Sequence, residues 1–139
     1  LPLLNAHLAR AKGTSDPNQA LELVKEAAAA LPELPVPRRS QVQLALAWAY
    51  YTLNDTKNAI LTARSVLQLA GSRGFRLVSL EARAIMAQLS EGDEQTTHRS
   101  VGQELARDFS RVLPPEMVRA FSRRPFLNFL EEDDDFEDL

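Results

Sequence analysis

Few residues in this chain have side chains that could carry out catalysis or bind a metal ion. The two histidines, His7 and His98, are the natural bases and metal ligands, yet neither belongs to a His-Glu-x-x-His arrangement on a helix. The sequence contains no cysteine, which excludes disulfides, thiolate metal sites and cysteine nucleophiles. We expect both histidines to lie at the surface or at an edge of the fold and to take no part in catalysis.

Acidic residues cluster at Glu91, Asp93 and Glu94, where carboxylates could attract calcium. The cluster lacks the loop spacing and the bidentate glutamate of an EF-hand, and a polar turn between two helices explains it. The five glycines form neither a GxGxxG nor a GxxxxGK[ST] motif, the patterns that cradle phosphate groups. The sequence therefore predicts a protein without catalysis, without a bound metal ion and without a cofactor.

The stretch Gln41–Gly71 organises the rest of the chain, because it contains two apolar runs joined by a short Asn-Asp turn. In the second run Ala59, Ala63, Val66 and Ala70 are separated by four, three and four residues, which places them on one face of a helix. Small side chains at such positions allow a partner helix to approach closely. The pattern predicts two antiparallel helices that pack against each other as a hairpin.

This hairpin resembles a tetratricopeptide repeat, a unit of about 34 residues that consists of two antiparallel helices. The resemblance is carried, in chain order, by Leu46, Ala47, Tyr50, the turn Leu53-Asn54-Asp55, and Ala59. Three positions depart from the family pattern, since Gln43 replaces a large apolar residue, Ala63 an aromatic residue and Gly71 a proline. The resemblance implies stacked helix pairs in which the first helix of each pair lines a concave groove.

A similar spacing of apolar residues recurs on both sides of the central hairpin, in residues 20–31 and in residues 78–89. The sequence therefore predicts an all-α, tetratricopeptide-like solenoid of about three antiparallel helix pairs with a C-terminal capping helix. The predicted pairs, cap and tail span residues 1–31, 38–70, 75–113, 116–124 and 125–139. Residues 1–124 are thus expected to form the repeat domain, followed by an acidic and aromatic tail.

Several local signals set the expected ends of the helices. Asp16 followed by Pro17 is an N-cap with proline in the first turn, which predicts a helix start. The proline-rich segment Leu31–Pro37 predicts a linker, and the next helix begins either at its last proline or after Ser40 as N-cap. Gly102 costs about 1 kcal/mol relative to alanine within the sixth predicted helix, so the pattern is least helical there.

The register of the central hairpin leaves one face of its first helix free to line a groove, and the third pair continues that face. The predicted groove residues are Gln41, Leu44, Trp48, Tyr51, Thr52, Ser79, Arg83 and Met86. Trp48, the only tryptophan, suits an aromatic anchor site together with the nearby tyrosine. Alternatively, Trp48 packs between neighbouring repeats as an ordinary core residue. An apolar centre with flanking arginines, including Arg10 from the first pair, suits a peptide that carries acidic residues.

The C-terminal tail has the composition of such a peptide. Residues 131–139 contain seven acidic side chains and no basic one, so residues 1–130 combine 16 Lys and Arg with the other 12 acidic residues, a net charge of +4. We expect the tail to dock in the groove of its own chain or of a neighbouring copy through Phe126, Leu127, Phe129, Leu130 and Phe136. The alternative is that residues 126–130 complete the cap, while the acidic end is a solubilising extension.

Residues 113–125, LPPEMVRAFSRRP, resemble the ends of bacterial repeat domains that are fused to kinases, ATPases or transcription regulators. The resemblances imply a non-catalytic scaffold module of a larger bacterial regulatory protein, which binds a protein or an acidic and apolar peptide through its groove.

With no basic and apolar leader and no long apolar run, we expect a cytoplasmic location and no membrane association. The acidic tail would repel phosphate, and the arginines form no clustered stripe, so we expect no nucleic-acid binding. The alternative function is a regulatory domain that senses a small ligand and controls an attached output domain.

Overall fold

The computed structural model describes residues 1–12 and 15–131, which form helices and connecting turns without any strand. The prediction of an all-α protein is therefore confirmed for the described part of the chain. Its seven α-helices, α1 to α7, span Pro2–Lys12, Pro17–Ala30, Val36–Thr52, Thr56–Arg73, Arg76–Leu89, Gly92–Val112 and Pro115–Ser122. Two 3₁₀ helices span Leu31–Glu33 and Pro125–Leu130, and the second of these is the C-terminal segment.

Aspartate side chains begin two of the helices. The carboxylate of Asp16 accepts a hydrogen bond from the backbone N–H of Gln19 at 3.2 Å, as its position before Pro17 predicts. Asp55 accepts one from the backbone N–H of Asn58 at 3.3 Å and so caps α4. Such caps satisfy backbone donors that have no partner within the helix. The predicted turn before α4 is also present, with Asn54 in the left-handed region at a φ of 61°.

Of the two predicted starts of α3, the one at Pro37 lies within one residue of the observed start at Val36. The other is wrong, because Ser40 is not an N-cap and its buried hydroxyl donates to the carbonyl oxygen of Pro37 at 2.9 Å. Proline in the first turn is compatible with a helix, so the linker is shorter than predicted. At the other end of the hairpin, α4 runs through Gly71 to Arg73. It ends only where Gly74 takes up the left-handed conformation, at a φ of 72°.

Arg39 stabilises the short connection between α2 and α3. Its guanidinium donates hydrogen bonds to the carbonyl oxygens of Leu31 at 3.2 Å, Pro32 at 3.4 Å and Leu34 at 3.0 Å. Carbonyl groups at the end of a helix lack some of the N–H donors that they would have in its interior, and a basic side chain is a common donor to them. The first helix pair is therefore tied to the second by the side chain of a residue in α3.

The helices pack mostly against their neighbours in the sequence. Contacts are extensive between α1 and α2, between α3 and α4, and between α5 and α6, and these hairpins are joined by contacts of α1 with α3 and of α4 with α5. One core lies between α1, α2 and α3 and includes Val24, Val42 and Leu46. A second core extends from α3 across α5 to the C-terminal segment and includes Trp48 and Ile85. Each hairpin thus covers apolar surface of the next.

The alanines of the central hairpin allow α3 and α4 to pack closely, as their spacing predicts. Ala47 on α3 and Ala59 and Ala63 on α4 are completely buried. A methyl side chain keeps the distance between two helix axes short, because the backbones approach until these small groups meet. A larger side chain at any of these positions would force the two helices apart.

The last helix covers less surface than the sequence predicts. The ring of Phe121 is buried and lies 4.9 Å from the ring of Phe109 on α6, measured between centroids. Met117 and Ala120, which share a helix face with Phe121, are both exposed, Met117 by 52%. Only one residue of that face therefore anchors α7. The chain then turns back, and the C-terminal segment packs along α5 and against α6.

Candidate functional site

Three aromatic rings meet between the C-terminal segment and α3. The ring of Phe129 lies 5.7 Å from the ring of Trp48 and 5.6 Å from that of Tyr51, and these two rings of α3 are 6.0 Å apart and nearly perpendicular. Distances in this range are favourable for aromatic pairs. Trp48, Tyr51 and Phe129 form the aromatic cluster, in which α3 supplies the receptor and the C-terminal segment supplies the inserted side chain.

A carboxylate on α5 orients the indole. Glu81 accepts a hydrogen bond from Nε1 of Trp48 at 3.0 Å through Oε2, and its Oε1 lies 3.7 Å from a guanidinium nitrogen of Arg124. The Glu81 side chain is only 17% exposed, so these two groups replace most of its contact with water. Since Arg124 directly precedes the C-terminal segment, Glu81 links α3 to the start of that segment.

The first helix completes the surroundings of the indole. The guanidinium carbon of Arg10 lies 4.6 Å from the centroid of the Trp48 ring, which is a favourable cation–π distance. Partial burial lowers the pKa of Arg10, and the nearby Glu81 carboxylate opposes part of that shift. Arg10 stays charged at physiological pH, because a free arginine loses its proton only under strongly basic conditions. The cluster therefore combines an aromatic surface with one carboxylate and two guanidinium groups.

A glycine on α6 makes room for the last residue of the C-terminal segment. A Cβ atom at Gly102 would lie only 2.5 Å from Cδ2 of Leu130, a distance that real Cβ contacts do not show. The next residue, Gln103, donates a hydrogen bond from its side-chain amide to the carbonyl oxygen of Leu130 at 2.7 Å. We call the depression at Gly102 the Gly102 notch. It receives the Leu130 side chain, while Gln103 holds the Leu130 backbone.

The predicted groove residues fall into three groups. Gln41 is exposed, and Leu44, Tyr51 and Thr52 are half-buried, so these four retain contact with solvent. Trp48, at 4% exposure, and the completely buried Met86 belong to the core, and Ser79 is buried as well. The low exposure of Trp48 thus agrees with the alternative that it packs as an ordinary core residue. The prediction that Met86 lines an open wall is wrong, because α3, α4, α6 and the C-terminal segment all pack on α5.

Arg83, the last of the predicted groove residues, contacts α6. Its Nη1 lies 2.9 Å from Nδ1 of His98 on α6. Arginine has only donors, so Nδ1 must accept and the neutral imidazole carries its proton on Nε2, which lies 3.6 Å from a carboxylate oxygen of Glu94. Glu94 in turn is 3.3 Å from a guanidinium nitrogen of Arg64 on α4. This polar chain joins α4, α5 and α6.

Burial lowers the pKa of His98, and the positive charge of Arg83 lowers it further, while the Glu94 carboxylate opposes the shift. The native state therefore binds fewer protons than the unfolded state just below the ordinary histidine pKa of 6.5. We expect the free energy of unfolding to decrease as the pH falls through this region. Replacing His98 with glutamine should remove that part of the pH dependence in urea unfolding. The matched control is His7→Gln at an exposed histidine, and equal pH profiles for both variants would contradict the assignment.

The structure brings together four of the five predicted docking residues. Phe126 and Leu130 are buried, at 7% and 3% exposure, and Leu127 and Phe129 are half-buried. All four pack against the core that contains Trp48. The fifth residue, Phe136, lies outside the described residues. The first part of the predicted tail therefore contacts the helices of its own chain.

The site contains four residues that the sequence patterns do not identify as site residues, namely Glu81, Gly102, Gln103 and Arg124. A signal exists for the first two. Glu81 on α5 follows Trp48 on α3 by 33 residues, close to the repeat length of about 34 that the predicted resemblance implies. Glycine in the interior of a helix often marks the close approach of another chain segment, which is its role in α6. Gln103 shows no pattern that separates it from other polar residues.

Comparisons of this chain with protein-family models, characterised proteins and solved structures find no match. Within the described ranges, His, Asp and Glu side chains nowhere form a group of three that could hold a metal ion. None of the helices in residues 1–12 and 15–131 combines the length and the apolar character needed to cross a membrane. The interpretation of the site therefore rests on its geometry and chemistry.

Proposed function

We propose that this chain is a tetratricopeptide-like repeat module that binds a peptide segment of a partner protein and has no catalytic activity. In this proposal it belongs to a larger cytoplasmic regulatory protein of bacterial type. The order of helix contacts supports the proposal, because the first helices of successive hairpins, α1, α3 and α5, contact one another in series. Stacked repeats of this kind expose an extended surface on one side, which is the usual binding surface of such arrays.

One observation carries the proposal, namely the seating of Phe129 against Trp48 and Tyr51. The C-terminal segment is a six-residue peptide that crosses the helices and inserts an aromatic side chain into a receptor built from α3 and α5. Aromatic anchors in well-packed pockets dominate the affinity of many interfaces. A peptide from another protein with a similar aromatic anchor could pack against the same rings of Trp48 and Tyr51, where the Glu81 carboxylate orients the indole.

The charges around the aromatic cluster indicate a partner with acidic flanks. Arg10 lies over the indole and Arg124 lies beside Glu81, so guanidinium groups approach the cluster from two elements. Residues 1–130 have a net charge of +4, and the acidic residues of this chain follow the docked segment directly. Complementary charges of this kind raise the association rate and favour acidic partners more than they raise affinity. The proposed ligand is therefore a short apolar and aromatic peptide next to carboxylates.

The test uses the full chain with Phe129→Ser and Leu130→Ser, which we call the tail-released variant. A synthetic peptide with the sequence of residues 125–139 is the probe, and the fluorescence of Trp48, the only tryptophan, is the readout. Release should shift the emission to longer wavelength, because the indole becomes hydrated. Added peptide should reverse the shift in a saturable way, with an affinity at least about ten-fold higher for the variant than for the wild-type chain, whose site is occupied.

Circular dichroism of the tail-released variant first has to show wild-type helix content, and the control peptide carries serine at the positions of Phe129 and Leu130. If the folded variant binds neither peptide, the proposal fails. Size-exclusion chromatography separates the two forms of docking that the sequence leaves open. A dimer that forms at high concentration in the wild-type chain and is lost in the variant would mean that the segment inserts into a neighbouring copy.

A second function, the sensing of a small ligand, is supported by a different cavity. A cleft of about 640 Å³ lies between α6, α7 and the C-terminal segment, with Phe121, Leu127 and Leu130 as apolar lining and Arg107 and Ser110 as polar groups. Gln103, Arg111, Ser122 and Glu131 also line this cleft, and its volume lies within the range of small-molecule sites. The space next to the indole is instead filled by rings and the Arg10 guanidinium. A small organic anion that raises Tm in a saturable way, without competing with the peptide, would favour this function.

A further inference from the structure

We infer that the C-terminal segment is a built-in substitute for the partner, and that its anchors define the sequence motif that the site accepts. This inference rests on the proposed function and specifies the partner. The motif is aromatic, aliphatic, any residue, aromatic and aliphatic, as in Phe126 to Leu130. The partner has to displace the segment before it can bind, so the segment also limits access to the site.

The conformation of the segment explains this spacing. Residues three apart lie on the same side of a 3₁₀ helix. Phe126 is therefore in line with Phe129, and Leu127 is in line with Leu130, so that two apolar rows run along the segment. Asn128 is exposed between them. A peptide of the partner needs apolar residues in both rows to reproduce these contacts, whereas the position of Asn128 is free to vary.

The last anchor is the most selective, because the Gly102 notch sets its size and shape. The Leu130 side chain approaches the backbone of α6 so closely that no Cβ fits at position 102. Gln103 binds the Leu130 carbonyl oxygen, which every residue type offers. The chain continues from there to Glu131, so the site accepts an internal segment and requires no free carboxyl terminus. The notch thus selects an aliphatic side chain, and the hydrogen bond from Gln103 fixes the position of the peptide backbone.

Covalent attachment gives the segment a large advantage over a free peptide. Only Arg123 and Arg124 separate the end of α7 from the C-terminal segment. A short connection keeps a ligand at an effective concentration in the millimolar range, roughly, and an external peptide has to compete with it. A partner with moderate affinity therefore binds only when the segment is released or when the partner contributes further contacts.

The test compares four peptides of residues 125–139 on the tail-released variant: the wild-type sequence and the same sequence with Phe126→Ala, Leu130→Ala or Asn128→Ala. Loss of a buried aromatic or leucine side chain should weaken binding by about ten- to one-hundred-fold. The Asn128→Ala peptide, changed at an exposed position, should bind within about two-fold of the wild-type peptide. Equal affinities for all four would overturn the motif and leave the proposed function intact, whereas absence of any binding would overturn the proposed function.

A receptor variant identifies the notch itself. Adding Gly102→Ala to the tail-released variant should lower its affinity for the wild-type peptide by at least about ten-fold, because the new Cβ occupies the place of the leucine side chain. The Leu130→Ala peptide lacks that side chain and should bind both receptors equally well. If Gly102→Ala lowers the affinity for both peptides by the same factor, the space at Gly102 does not select for the Leu130 side chain and the assignment of the notch is wrong.

Discussion

Replacing Gly102 with alanine should lower the free energy of unfolding by about 1–3 kcal/mol, the usual cost of adding volume to a packed site. The same change in the interior of an exposed helix raises it by about 1 kcal/mol. The sign is reversed because the new methyl group would meet Cδ2 of Leu130 at 2.5 Å. Leu130 is buried and its carbonyl is held by Gln103, so it cannot move aside without giving up these contacts.

A double-mutant cycle with Leu130→Ala measures this contact. Alone, Leu130→Ala should cost about 2–5 kcal/mol, as expected for a buried leucine. In the Gly102→Ala background, Leu130→Ala should lower the free energy of unfolding much less, because the new methyl group already displaces the leucine side chain. The coupling energy between the two changes should amount to about 1–3 kcal/mol. Urea unfolding monitored by circular dichroism provides the four free energies.

Gly71→Ala is the matched control for this cycle. Gly71 also lies within a helix, and no atom comes within 4 Å of a Cβ built on it. The control should therefore be neutral or stabilising by up to about 1 kcal/mol. If Gly102→Ala stabilises the chain as Gly71→Ala does, the C-terminal segment does not occupy the notch in solution.

Local sequence signals determine much of the helical framework. Asp16 and Pro17 start α2 where the capping rule predicts, and the turn at Asn54 and Asp55 separates the two helices of the central hairpin. The errors occur where a local rule permits two outcomes. Proline is as compatible with a first helical turn as with a linker, and Gly71 is tolerated inside α4 because a single glycine costs less than the helix gains from packing.

The site is harder to predict, because it depends on which side of α5 faces the C-terminal segment. Four consecutive residues of α5, Ala84 to Ala87, are completely buried. Because α3, α4, α6 and the C-terminal segment all pack on this helix, its apolar pattern does not show which neighbour covers which side. The predicted register consequently places Arg83 and Met86 in the groove, whereas Glu81 is the residue that reaches Trp48. The docking residues are easier to find, since aromatic and aliphatic residues in a short C-terminal segment require a covering surface.

Truncation of Trp48 to alanine should cost about 3–5 kcal/mol of stability, which is the range for a buried large aromatic side chain. The indole is 4% exposed and contacts three other elements, through Glu81 on α5, Phe129 in the C-terminal segment and Arg10 on α1. Its removal leaves a cavity and deprives the Glu81 carboxylate of a donor. A loss of partner binding in this variant could therefore result from unfolding or from the missing contact. Changes in the C-terminal segment, such as those of the tail-released variant, avoid this ambiguity.

Trp48→Phe separates packing from hydrogen bonding at the same position. Phenylalanine retains an aromatic ring but cannot donate to Glu81, and the loss of a partner for a buried polar group costs about 1–3 kcal/mol. We therefore expect Trp48→Phe to fall clearly between the wild-type chain and Trp48→Ala. Combined with Glu81→Ala, the change to phenylalanine should cost less than it does alone, because the carboxylate that needs the donor is absent. Circular dichroism serves as the probe, since these variants lack tryptophan. A cost below about 1 kcal/mol for Trp48→Ala would show that the indole does not join the three elements, and that the C-terminal segment docks without it.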